Sequence, residues 1–157
     1  RCGVIAGAGQ FGKVDQGFIA FWLAKHYWKE NISYIGFGGK GKQVRDILHI
    51  DDLFDLIQIE LDQINKMNGQ TYNIGGGLDV SVSLAELTKF CSEITGNKIS
   101  IESVKKNRPS DIRIYLTDNT KIFDEIGWVP KKKINDILSD IYFWIKNNES
   151  VLKEILL

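Results

Sequence analysis

Short apolar runs that stop at glycine alternate along this chain with helical stripes, and that alternation narrows its possible folds more than any other feature. Strand-like runs fall at about 2–6, 32–37, 44–50, 71–75 and 98–104, the fourth ending in three glycines. Asp15 is placed to cap a helix over 16–29, with Phe18, Phe21, Trp22, Lys25 and Trp28 spaced for one face. Asp51 is a suitable N-cap for 52–66, where Leu53, Leu56, Ile57, Leu61 and Ile64 form a stripe. Ser83 and Glu86 have capping-box spacing and open a helix that runs to Thr95 and closes at Gly96. Asp118 is expected to cap a helix ending near Gly127, Pro130 blocks its continuation, and 134–147 and 149–156 read as terminal helices. Alternation of this kind predicts an α/β architecture.

The chain of 157 residues is long enough for one well-buried core, with room for a small subdomain. Twenty basic side chains balance twenty acidic ones, which argues against nucleic acid or a membrane surface as partner. Two cysteines, Cys2 and Cys91, make no disulfide framework, so a reduced, cytoplasmic protein is expected, with Cys91 in the core. No apolar run approaches the ~20 residues of a membrane span. The strand-like RCGVIA that begins at Arg1 predicts a cut through a larger protein.

Two segments match the G-x-G-x-x-G pattern of a dinucleotide-binding turn. In the first, Val4-Ile5-Ala6-Gly7-Ala8-Gly9-Gln10-Phe11-Gly12, the following helix is expected to start too late to aim its amides at a pyrophosphate. The next strand also ends without the acidic residue that would bind a ribose hydroxyl. The second, Gly36-Phe37-Gly38-Gly39-Lys40-Gly41, nearly matches a P-loop as well. Gln43 stands where that loop needs a hydroxyl, and a strand-like run follows instead of a helix. Neither segment is therefore expected to hold a cofactor.

Residue chemistry points elsewhere. Directly after the second glycine loop, an extended 44–50 puts Arg45, Ile47 and His49 on one face and Val44, Asp46 and Leu48 on the other. An arginine projecting from a strand beside a glycine loop suits a bidentate grip on phosphate. Asp46, among apolar neighbours, is expected to pair with a buried donor. A second arginine, Arg108, is followed by Pro109 and, three positions on, by Asp111. Two arginines in separate loops, each with a nearby acid, fit a diphosphate together with a sugar hydroxyl. His49 with Asp51 and Asp52 offers metal-ligand residue types, but Asp51 is better explained as a helix cap, and no metal is expected.

Taken in order, RCGVIAGAGQFG, DQGFIAFW, GKGKQVRDILHIDDL, YNIGGG, SLAEL, RPSDIRIYLTD and IGWVP resemble the C-terminal half of the NAD-dependent sugar-nucleotide epimerases and dehydratases, the extended short-chain dehydrogenases. The DQGF, GKQVRD and RPSD wording is most similar to the CDP-paratose (CDP-tyvelose) 2-epimerase branch. The resemblance implies the C-terminal portion of a Rossmann-type parallel sheet plus a small mixed α/β substrate-binding domain. Residues 1–9 and 50–76 would be the remnant of the first, and 10–49 and 77–157 the second.

It also implies the chemistry. A hydride leaves a sugar carbinol for NAD, a ketone forms, and the hydride returns on the other face. A Tyr-x-x-x-Lys pair supplies the acid/base, and NAD is bound mainly by an N-terminal half that has no counterpart here. Tyr142 and Lys146 have the right spacing but lie on a late helix, so no catalytic and no cofactor-binding residue is assigned. By resemblance Arg45 and Arg108 contact phosphate and Asp111 contacts ribose or sugar hydroxyls. Gln43 lies at the site's edge, and Gln10 and Phe11 lie where the chain turns toward the sugar. The implied partner is a nucleotide-diphosphate sugar, with a homo-oligomer in the full-length form. Dehydratase or reductase chemistry, or a non-catalytic nucleotide-sugar or RNA-binding relative, are the alternatives.

Overall fold

The computed structural model describes residues 1–13, 16–109 and 111–157. The expected cap at Asp15 therefore lies outside the described residues. Strand β1 (Val4–Ala6) leads through a glycine turn to α1 (Phe18–Tyr27), β2 (Ile32–Ile35) and β3 (Val44–His49). Helices α2 (Ile50–Asp62) and α3 (Ile64–Met67) follow, then β4 (Ser81–Ser83), α4 (Leu84–Thr95), β5 (Ile101–Val104) and β6 (Ile114–Tyr115). Helices α5 (Thr120–Ile126), α6 (Ile134–Asn147) and α7 (Glu149–Leu156) complete the mixed α/β chain.

Strand β3 is shared between two sets of neighbours. Its second half runs parallel to β1, with Val4 opposite Ile47 and Ala6 opposite His49. Its first half pairs antiparallel with β4 and parallel with β6. A separate parallel pair joins β2 to β5. Strands β4 and β6, three and two residues long, are too short to show a period and were not anticipated from sequence. The expected strand at 71–75 shrinks to one parallel bridge between Cys2 and Ile74, because β3 takes over as the partner of β1 from Val4 onward.

Local chemistry accounts for several helix ends. Ser83 and Glu86 form the anticipated capping box, and Gly96 closes α4 in the left-handed region at φ 70°. The cap of α2 is a correction: His49, with extended backbone, accepts the Asp51 N–H at its Nδ1 (3.1 Å), so the helix begins before Asp51. Asp51 instead sits in the first turn, where a carboxylate still suits the positive end of the helix dipole. The cap of α5 is also a correction: Asn119 is the N-cap and makes no side-chain cap bond, while Asp118, one residue earlier, accepts the Thr120 N–H at 2.9 Å.

Two buried clusters hold these elements. In the larger, Ile19 and Leu23 of α1 meet Leu87 and Cys91 of α4, Ile137, Leu138, Ile141 and Ile145 of α6, and Leu152 and Leu156 of α7. Burial pushes the Cys91 thiol far up in pKa, which makes it an inert core group. The smaller cluster joins Leu48, Leu56, Met67, Tyr72 and Ile74 to Ile122 and Trp128. The face expected for α1 is also corrected. The helix is apolar nearly all round, so Ile19, Leu23 and Ala24 enter the core, while Phe18, Phe21 and Lys25 form its partly open side.

His26, fully buried on α1, donates from Nδ1 to the Trp22 carbonyl oxygen at 2.8 Å. Burial lowers its pKa from the ordinary 6.5, and the hydrogen bond to Trp22 only partly opposes that shift. Below pH 6.5 the unfolded chain therefore binds a proton that the folded chain resists. The associated stability is complete above that pH and is lost as pH falls through the lowered folded value. Urea midpoints measured at pH 7.5 and 5.5 should fall toward acid, and His26→Leu should reduce that fall.

Candidate functional site

Four of the residues singled out in the sequence surround one cleft of about 340 Å³: Gln43, Arg45, Arg108 and Asp111. They arrive from separate elements. Gln43 ends the glycine loop ahead of β3, Arg45 projects from β3, and Arg108 and Asp111 belong to the turn between β5 and β6. Asp111 Oδ1 receives a hydrogen bond from Arg45 Nη2 at 2.8 Å, and the pair is about one-fifth exposed on each side. Arg45 Nη1 donates to the Val44 carbonyl oxygen at 2.8 Å, which fixes the plane of the guanidinium. The amide of Gln43 donates from Nε2 to the Ile35 carbonyl oxygen, while its buried Oε1 has no partner among the described residues. Guanidinium donors thus lie beside a carboxylate and a buried amide oxygen, a set able to neutralise an anion and accept from a hydroxyl.

The glycine loop that delivers Gln43 is curled by positive φ at Gly36, Phe37, Gly38, Gly39 and Gly41. Asn107 Oδ1 accepts the Phe37 N–H at 2.7 Å, and Ser103 Oγ donates to the Gly39 carbonyl oxygen at 2.9 Å. These bonds tie the loop to the segment that carries Arg108. Because β3 follows it and not a helix, it has no P-loop geometry.

Gln10 and Phe11 are not among the residues lining the cleft. Gln10 turns back to donate from Nε2 to the Ile5 carbonyl oxygen at 2.9 Å, and Phe11 packs edge-on against Trp144 at 5.7 Å. Residues missed as candidates take their place: Phe18 and Trp22 from α1 and Ser33 and Ile35 from β2. Trp22 stacks on Tyr34 (5.8 Å, 8° between planes) and donates from Nε1 to Thr88 Oγ1 at 2.9 Å. The sequence signal was the i, i+4 aromatic pair Phe18 and Trp22, which sequence spacing explained by packing alone.

Asp46 behaves as expected of a buried acid, accepting the Gly77 N–H at 3.1 Å. Around His49 the structure gathers Asp51 and Asp140, not Asp52, which accepts the backbone N–H groups of Lys131 and Lys132. His49 Nδ1 is engaged by the Asp51 N–H, and its Nε2 lies 3.2 Å from Asp140. Lys132 Nζ stands 3.8 Å from both carboxylates. His49 Nδ1 thus serves the helix cap and Lys132 stands beside both carboxylates, while the buried Nε2 has no hydrogen-bond partner among the described residues. Tyr142 packs on Tyr27 at 5.7 Å, away from the cleft lining.

The first glycine turn does not form a dinucleotide cradle. A Cβ on Gly7 would meet Ile50 at 2.6 Å, and one on Gly12 would meet the Gly17 carbonyl oxygen at 2.6 Å. Gly7 and Gly12 are thus packed against protein, although Gly9 meets nothing within 4 Å, and α1 begins only after Gly17, well past the last glycine of the pattern. Neither glycine loop gives NAD the helix N-terminus that a pyrophosphate cradle needs.

Comparison with known proteins decides the family. The GDP-mannose 4,6 dehydratase family matches residues 23–141. This chain belongs to the NAD-dependent sugar-nucleotide epimerases and dehydratases. It is 34% identical to CDP-paratose 2-epimerase of Salmonella typhi over 140 residues, covering 88% of this chain and 41% of that protein. It is also 34% identical to GDP-L-fucose synthase 1 of Arabidopsis thaliana, over 70% of this chain and 32% of that one. Among solved structures, UDP-glucose 4-epimerase of Thermotoga maritima with UDP-glucose superposes with a TM-score of 0.75 at 26% identity, over 94% of this chain and 45% of that one. The dTDP-glucose 4,6-dehydratase of Bacillus anthracis, in complex with NAD, shares the fold at 24% identity and a TM-score of 0.75. The chain spans less than half the length of these relatives. Among the described residues, no helix is long and apolar enough to cross a membrane.

Proposed function

We propose that this chain is the nucleotide-sugar-binding part of an NAD-dependent nucleotide-sugar epimerase, of the type that acts on a CDP-sugar at carbon 2. One observation carries the reading: two segments far apart in sequence, one with Gln43 and Arg45 and the other with Arg108 and Asp111, converge on one cleft. Arg45 and Arg108 would neutralise the diphosphate, and Asp111 would accept from a ribose or sugar hydroxyl once a phosphate competes for Arg45. Gln43 Oε1 supplies a further acceptor, and the Phe18 and Trp22 side of the cleft supplies apolar surface. In this reading residues 1–9 and 50–76 belong to the cofactor-binding sheet and the remainder to the substrate domain. NAD and the acid/base pair come from the portion of the family fold that this chain does not span, and the complete enzyme is a homo-oligomer.

Calorimetric titration of the chain with CDP-glucose and with UDP-glucose tests the proposal. Saturable binding of at least one is expected, with no stoichiometric binding of NAD. Failure of both nucleotide sugars to bind, or tight NAD binding by this chain alone, overturns it. The family match to GDP-mannose 4,6 dehydratase supports a second reading, in which the same cleft serves dehydratase or reductase chemistry. Assay of an enzyme that carries this chain separates the two, since a dehydratase releases water and an epimerase conserves composition.

A further inference from the structure

Besides Arg45 and Arg108, the segments 36–45 and 104–113 carry five more basic side chains, Lys40, Lys42, Lys105, Lys106 and Arg113, and a single acidic one, Asp111. The remaining thirteen basic side chains of the chain face nineteen acidic ones, so a chain that is neutral as a whole is strongly basic here and acidic elsewhere. The fold stitches the two segments into one surface. Gly36 N–H donates to the Val104 carbonyl oxygen at 2.8 Å, and Val44 N–H donates to the Arg113 carbonyl oxygen at 2.9 Å. The Asn107 and Ser103 bonds to the glycine loop close the space between them. All five additional cations are exposed. Each lies within three positions of Gln43, Arg108 or Asp111, yet none of the five lines the cleft itself.

Several lysines elsewhere on the molecule stand beside acids. Lys131 pairs with Asp55 at 2.9 Å, Lys132 stands 3.8 Å from Asp51 and from Asp140, and Lys89 lies 3.9 Å from Glu93. Among the described residues, the five cations around the cleft make no ion pair. Glu102, the next acid along β5, takes a hydrogen bond from Ser33 at 3.3 Å. Uncompensated like charge works against a compact fold through self-repulsion, so folding does not account for this concentration. Its field does reach the cleft, because charges are screened only over about 8–10 Å at ordinary salt. Walls of one sign focus the field into a cleft and raise the arrival rate of opposite ions by roughly 10- to 1,000-fold. Rim charges act mainly on that rate, whereas buried contacts govern departure.

We infer that Lys40, Lys42, Lys105, Lys106 and Arg113 form an electrostatic collar that draws the anionic diphosphate of a nucleotide sugar to the cleft. The collar sets how fast the ligand arrives and leaves how long it stays to the groups inside. The inference rests on the reading of the cleft as the nucleotide-sugar site. Temperature-jump relaxation with CDP-glucose and with UDP-glucose, followed by tryptophan fluorescence, gives both rate constants, and Trp22 borders the cleft. Association should slow about fivefold or more between about 0.03 M and about 0.3 M ionic strength, as the screening length shrinks roughly threefold. Replacing Lys40, Lys42, Lys105 and Lys106 together by Gln should slow association about tenfold at the lower ionic strength and flatten its salt dependence. Dissociation should stay within about twofold. Arg45→Ala, by contrast, should act mainly by speeding dissociation.

The control replaces Lys29, Lys89, Lys146 and Lys153 by Gln, an equal change in net charge at exposed positions that do not line the cleft. It should leave association nearly unchanged. The collar variant removes repulsion, so its urea midpoint should be no lower than that of the unaltered chain. Should it nevertheless fail to fold, the Lys40/Lys42 and Lys105/Lys106 pairs are replaced separately, and each should give part of the slowing. Binding whose association ignores both salt and the collar substitutions overturns this inference and leaves the reading of the cleft standing. Equal slowing by the control overturns it as well, since net charge and not the collar would then act. A change confined to dissociation overturns it by making the lysines direct contacts. If neither nucleotide sugar binds, the reading of the cleft falls and the collar falls with it.

Discussion

Arg45→Ala is expected to weaken binding of CDP-glucose or UDP-glucose by about tenfold to a hundredfold, the range that follows from losing a hydrogen-bonded charge in a half-enclosed site. The geometry supports an effect of that size. Arg45 is held from both sides, by Asp111 at 2.8 Å and by the Val44 carbonyl at 2.8 Å, so little side-chain entropy remains to be lost on binding. A guanidinium has five donors, and these two contacts engage Nη1 and Nη2 once each. Arg45→Lys should recover only part of the affinity, because an ammonium group cannot grip a phosphate bidentately. Asp111→Ala is the informative companion. If Asp111 only orients Arg45, the double variant should bind no worse than Arg45→Ala. If it also contacts a hydroxyl, the double variant should bind more weakly than either single one. Isothermal titration of all four proteins decides this, and equal affinity throughout would remove the cleft from consideration as the binding site.

Gly76→Ala is expected to destabilise the chain by about 3 kcal/mol or more, at the upper end of what overpacking costs in a rigid interior. A Cβ at Gly76 would run into the Ile47 carbonyl oxygen and lie 2.9 Å from the Ile47 N and C atoms. All three are backbone atoms of β3, the strand that β1, β4 and β6 share, so none can yield without breaking strand pairing. Gly38→Ala serves as the control, because a Cβ there meets nothing within 4 Å, although its φ of 82° brings some strain of its own. Urea unfolding followed by circular dichroism should show a far larger loss of midpoint for Gly76→Ala than for Gly38→Ala. Equal losses would mean that close packing against β3 does not matter.

Part of the candidate cleft was legible before the fold was known, for reasons that can be traced to particular residues. Arg45 and Arg108 stood beside loops rich in glycine or proline, where charged side chains are free to face a ligand, and the cleft does bring them together. Gln10 and Phe11 were placed by their position after a strand, and tertiary contacts drew them elsewhere: one to the Ile5 carbonyl, the other to Trp144. Phe18 and Trp22 were read as packing, and Trp22 does pack, on Tyr34. Whether an aromatic side chain also borders a cleft depends on what stands opposite it, and β2 and the turn that carries Arg108 are far away in sequence.

By itself the sequence determined the α/β alternation, the capping box at Ser83, the glycine stop at Gly96 and the chemical character of the charged loops. Each of these rests on interactions within a few residues, and the local pattern specifies them. Only the tertiary structure decided that β3 joins two sets of partners and that the 71–75 strand shrinks to one bridge. It also decided that the third glycine of the first G-x-G-x-x-G pattern, Gly12, makes room for the backbone of α1 instead of a pyrophosphate. Those outcomes depend on which distant backbone arrives beside a given residue, a choice made by packing the whole chain at once.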